Sequence, residues 1–218
     1  MRAMMLAAVL ALALPIASAD AAQIAAFGQT SGANTLTATV NAADTVTTLT
    51  IANAGLDVTQ LFGMSPLAGL SFSLDAMSID AVASVGGALL QHYSGSFCIT
   101  SAAGCTGSNI LSGTFSDAAF GAAGGTGLVV NVSNPPDTLT LTSSVLSAAD
   151  LAAPNSFNLG FSNLTPALAS LGTTIAPFTA SFAGTVSSSV KAVPEPASVA
   201  LLGMGLLGVA ALRKRARA

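Results

Sequence analysis

The chain has 218 residues with nine acidic and six basic side chains, no tryptophan, one tyrosine and ten phenylalanines. No lysine or arginine occurs from Ala3 through Val190, so this stretch has nothing to neutralise phosphates, and nucleic-acid binding is excluded. From Asp20 to Lys191 there are eight aspartates less one lysine, seven net negative charges, which also excludes simple charge attraction to acidic polymers.

The chain opens with Met1-Arg2, an apolar stretch from Met4 to Ile16, and Ala17-Ser18-Ala19 ahead of Asp20. A positive start, a short apolar core and small residues at a cleavage point make a secretory signal helix. Signal peptidase is expected to read Ala17 and Ala19 and cut between Ala19 and Asp20, removing residues 1–19. The stretch is short and Pro15 ends it, so a permanent membrane helix is not expected. Residues 20–192 are then an exported body, long enough for one domain with its own core.

A two-residue beat runs through that body and predicts β structure. Leu70, Phe72, Leu74 and Ala76 alternate with Ser71, Ser73 and Asp75. The beat returns at Phe157, Leu159, Phe161, at Phe178, Ala180, Phe182, Gly184, Val186, and at Leu139, Leu141 between threonines. Weaker candidates are 35–40, 47–51, 89–99, 109–115 and 128–132. Turn signals separate them: Asn53-Ala54-Gly55, Gly86-Gly87, Gly104 to Ser108, Ala123 to Gly127 and Asn134-Pro135-Pro136-Asp137. Eight to ten short strands with one apolar face each predict an all-β, antiparallel, jelly-roll-like sandwich. Helix signals are limited to 147–151, with Ser147 as a candidate N-cap, and 166–171.

Cys98 and Cys105 are the only cysteines. In an exported chain the pair predicts a disulfide closing the loop 99–104 between two strands. Two thiols and a distant His92 do not make a zinc site. Catalytic material is scarce. His92 beside Tyr93 is the only histidine, the body has no glutamate, and a carboxylate pair would have to be two aspartates such as Asp75 and Asp80. No Gly-x-Ser-x-Gly elbow singles out a serine. Gly124-Gly125-Thr126-Gly127 begins like a calcium-binding repeat, but Val129 stands where aspartate is required. No metal, cofactor or catalytic residue is expected, although scattered aspartates leave calcium binding open.

The last 26 residues are a different kind of sequence. Val193-Pro194-Glu195-Pro196 is followed by an uncharged apolar run, Ala197 to Leu212, and then by Arg213, Lys214, Arg215 and Arg217. Sixteen residues of helix span roughly 24 Å, a little short of a bilayer core, and the flanking cations extend the usable length by snorkelling. The cations form the membrane stop and place the C-terminus in the cytoplasm. Gly203, Gly205 and Gly208 are tolerated in lipid, where leaving the helix would strand backbone groups. Pro194 and Pro196 fix their own φ and keep Val193 and Glu195 out of helix, leaving the motif extended. Glu195 offers one anion to a reader at the membrane surface.

These three parts, motif 193–196, transmembrane helix 197–212 and basic tail 213–218, resemble the PEP-CTERM sorting signal of Gram-negative bacteria. The resemblance implies that a membrane-embedded exosortase recognises the Pro-Glu-Pro motif and removes or exchanges the tail. It also implies a host that makes extracellular polysaccharide, often as biofilm or floc matrix. The expected location is a transient inner-membrane anchor, then the cell surface or matrix. For the body three classes stay open: a non-enzymatic surface or matrix protein, which the sequence favours; a displayed carbohydrate-binding module, weakened by the lack of tryptophan; and a hydrolase, the poorest in candidate residues.

Overall fold

The structure, a computed structural model, describes residues 22–121, 126–152 and 154–188. These lie within one compact unit, Ala21–Ser189. The described residues are all β, with thirteen strands. In chain order they are β1 (Ala22–Gln29), β2 (Leu36–Val40), β3 (Thr47–Leu61), β4 (Leu67–Ser78), β5 (Ala83–Val85), β6 (Ala88–Ala102) and β7 (Thr106–Phe120). Then come β8 (Gly127–Asn131), β9 (Thr138–Thr142), β10 (Asn155–Thr165), β11 (Ser170–Leu171), β12 (Thr174–Ile175) and β13 (Phe178–Ser188).

Every pairing is antiparallel. The main sheet runs β6-β4-β3-β1-β13-β10-β8-β7, and β7 pairs back onto β6. Eight strands therefore close into a barrel, and the sandwich expected from the alternation is not the arrangement found. The physical reason is that alternation marks one apolar face per strand and is the same for a sandwich and a small barrel. Closure depends on two links that the pattern understates. One is the alanine-rich β1, which fills the slot between β3 and β13. The other is the short β8, which joins β10 to β7.

Two slots are filled by a pair of strands laid end to end. β2 continues β1 between β3 and β13, and β9 continues β8 along β7. The excursion between β1 and β2 is pinned by side chains: Gln29 Nε2 donates to the carbonyls of Ser31 and Ala33, and its Oε1 accepts from Phe182 N and Thr35. The Asn53-Ala54-Gly55 turn signal lies inside β3. There the register against β4 shifts between Ile51 and Ala54, with Asn53 at φ 53°, so the polar tripeptide makes a β-bulge.

The inside of the barrel is solid. Nine of the ten phenylalanines are buried, and rings from non-neighbouring strands meet across it. Phe72 of β4 lies 4.9 Å from Phe182 of β13, and Phe97 of β6 stacks 4.4 Å from Phe157 of β10. Small residues in the wall make room for them: a Cβ on Gly184 would lie 2.5 Å from the Phe27 ring, and one on Gly113 would lie 2.6 Å from Phe97. The outer faces carry threonine, serine and aspartate. Apolar inside and polar outside is the reverse of a membrane-spanning barrel.

One end is plugged by the β11–β12 hairpin. Ile175 N donates to Gln91 Oε1 and the Thr47 hydroxyl donates to Ile175 O. Tyr93, fully buried, donates its phenol to Gln91 Oε1 at 3.0 Å. Burial holds the Tyr93 phenol well above its ordinary range; the charge of Asp80 pushes the same way and the Thr47 hydroxyl opposes.

No helix forms among the described residues. Segment 147–151 makes a single hydrogen-bonded turn, in which Ser147 does bond as a cap. Its hydroxyl accepts from Asp150 N, and the Asp150 carboxylate accepts from Ser147 N. Those bonds from Ser147 hold the Asp150 carboxyl below its usual range. The second candidate, 166–171, ends in β11 instead. The signal segment and the whole sorting tail, including the expected transmembrane helix, lie outside the described residues.

Candidate functional site

Four adjacent strands and β9 build one concave site on the outer wall. Because side chains alternate across the pleat, the outward positions of β3, β4, β6, β7 and β9 fall into rows. The strand registers align Thr50 with Asp75, Asp75 with Ser96, Ser96 with Thr114, and Thr114 with Thr140. This row forms part of a cleft of about 570 Å³, within the ~300–1,000 Å³ typical of ligand sites. None of its five side chains makes a hydrogen bond within the described residues. Among the described residues Asp75 is the one charged residue lining the cleft.

The disulfide forms one wall. Cys98 on β6 and Cys105 at the β6–β7 turn are bonded, with Cα atoms 5.8 Å apart. Strand β6 runs on through Ala102, so the connection is only residues 103–105, shorter than the expected loop 99–104, and its tip curls back over the sheet. Gly104 N donates to Asn53 Oδ1 across the cleft edge, and Ser73 Oγ donates to the same oxygen. Sequence reading found the cysteines but missed the hydroxyl row. Its only signal was that Thr50, Asp75, Ser96, Thr114 and Thr140 occupy polar positions of alternating strands.

Other candidates do not assemble into chemistry. His92 Nδ1 contacts the Asp80 carboxylate at 2.5 Å, and Asp80 also accepts from His92 N at 2.8 Å. Among the described residues no serine, threonine or cysteine bonds the other ring nitrogen, so the pair orients an imidazole without a nucleophile. Asp75 faces the cleft while Asp80 is engaged with His92, and the two do not share a site. No group of three or more histidines, cysteines or acids that could hold a metal occurs among the described residues. Of the glycine-rich stretch, Thr126 bonds Phe161 O and Gly127 starts β8, both as sheet structure.

Val193, Pro194, Glu195 and Pro196, the stop residues Arg213, Lys214, Arg215 and Arg217, and Ala17 and Ala19 lie outside the described residues. No curated protein and no solved structure matches the chain. The tail does match a family model, described as the PEP-CTERM protein-sorting motif, over residues 192–215. That motif implies export, a C-terminal membrane-anchored step and processing by an exosortase before surface display. The chain therefore carries, at residues 192–215, the PEP-CTERM sorting motif of an exosortase-processed surface protein.

Proposed function

We propose that this protein is a non-enzymatic component of the cell surface or extracellular matrix, associated with exopolysaccharide or biofilm. Signal peptidase removes residues 1–19, and the apolar run 197–212 holds the chain in the inner membrane until the exosortase acts. The observation that carries the reading is the sorting motif at residues 192–215. The body supports it by what its residues offer: an acidic outer surface, a stapled barrel, and a histidine paired with Asp80 and, among the described residues, with no partnered nucleophile.

The test is intact mass and cell fractionation of the protein with the motif intact and with Glu195→Ala. Loss of the residues after the motif and appearance at the surface are expected for the intact form only. A tail retained in both forms, with the protein left in the inner membrane, overturns the reading. The hydroxyl-lined cleft favours a second reading, a carbohydrate-binding module displayed on the surface.

A further inference from the structure

We infer that the outer cleft is a binding site for an amino-bearing glycan strand, laid across β3, β4, β6, β7 and β9 with an ammonium group against Asp75. This rests on the carbohydrate-binding reading and names its site and ligand. The row Thr50–Asp75–Ser96–Thr114–Thr140 puts one polar side chain on each successive strand. Strands lie ~4.8 Å apart, so the row presents a hydrogen-bonding group at that interval over ~19 Å. An extended polymer with regularly repeating hydroxyl and amino groups matches such a row, whereas a compact metabolite would use a fraction of it.

Among the described residues all five side chains are free of internal hydrogen bonds. The neighbouring row is not: Ser73 is tied to Asn53, and Ser112 to Asn109. The second row thus holds the wall while the first faces the ligand. The wall itself is fixed before binding, by the Cys98–Cys105 bond and by Gly104 N on Asn53 Oδ1, which lowers the ordering cost of association. Phe97 is 3 % exposed and cannot serve as a stacking platform, so recognition is by hydrogen bonds and one charge. The charge selects: a lone carboxylate among hydroxyls repels uronic acids, accepts a neutral glucan and pairs with a glucosamine ammonium.

The test uses the full chain in phosphatidylcholine nanodiscs, titrated with β-1,4-glucosamine, β-1,4-glucose and alginate oligomers at a pH that keeps the amines charged. The first two share a backbone and differ at the 2-position, so the pair isolates the ammonium. Expected is tighter binding of the glucosamine oligomer than of the glucose oligomer, and none of alginate. Asp75→Asn should weaken glucosamine binding by about tenfold, the loss of one charge-assisted contact of ~1.4 kcal/mol, and leave the glucose oligomer unchanged. Thr114→Val with Thr140→Val should weaken both. Asp44→Asn, on an exposed loop outside the cleft, should change neither. Equal losses in Asp75→Asn and Asp44→Asn would mean diffuse attraction to an acidic surface and overturn the inference. Glucose-oligomer binding that needs the threonines but no preference for the amine overturns it while leaving the carbohydrate-binding reading standing. Binding of no oligomer removes both.

Discussion

Tyr93 shows how one side chain ties the core to pH. It is the only tyrosine in the chain, and its phenol is buried against Gln91, which in turn holds the β11–β12 plug through Ile175. Tyr93→Phe removes one buried hydrogen bond and leaves Gln91 Oε1 with the Ile175 amide alone. A loss of ~1 kcal/mol in unfolding free energy at neutral pH is expected. The alkaline side gives a sharper readout. Burial raises the folded-state pKa above the unfolded value of about 10. Below that value both states keep the proton, and the full stability is present. As pH rises through it the unfolded chain ionises first, and stability falls by ~1.4 kcal/mol per pH unit until the folded phenol titrates. Tyr93→Phe should abolish this slope. Denaturant midpoints of the two forms measured across the alkaline range check it, and parallel curves would show that the phenol is not insulated as described.

Among the elements, the β6–β7 hairpin carries both the disulfide and the cleft wall. Replacing both Cys98 and Cys105 by serine frees a short loop, for which the chain-entropy model gives a loss of ~2–3 kcal/mol. The variant's denaturant midpoint should drop accordingly, with backbone protection lost first at Gly104, whose amide the bond holds against Asn53. An unchanged midpoint would mean that the hairpin tip is held by its hydrogen bonds alone. The disulfide was legible from two cysteines and an export signal; the shape of its loop was not. Thr106 pairs with Ala102, so residues that look like turn formers extend the ladder, because cross-strand pairing overrides weak local preference. The same override explains Asn53-Ala54-Gly55, read as a turn and found as a bulge in β3. Strands whose inward side is aromatic or leucine-rich, such as β4, β10 and β13, were readable. β1 was not, since AQIAAFGQ lacks a clear two-residue beat and gets its place from the neighbours on either side.

For the whole molecule the difference between a sandwich and a barrel comes down to its seams. The registers are uneven around the ring. β6 and β7 align ten residue pairs, whereas β7 and β8 align two, Ala119 with Val129 and Phe120 with Leu128. Below that short contact β9 takes over along β7, but its pairing is to β7 only, so the slot is hydrogen-bonded on one side. The opposite part of the ring is closed by β1 between β3 and β13, where Ala22 faces Ser188 and the two ends of the body are knitted together. Such long-range pairing carries a loop-closure cost that slows folding. It also makes the β7–β8–β9 seam the place where the ring opens at least cost, because few ladder bonds must break there while the aromatic stacks behind it remain. Native-state hydrogen exchange tests this directly. Amides of β8 and β9 should exchange through a sub-global opening well below the free energy of global unfolding, while Leu49, Phe72 and Phe97, deep in β3, β4 and β6, exchange only with it. Uniform protection around the ring would contradict a weak seam and mean that the barrel opens as one cooperative unit.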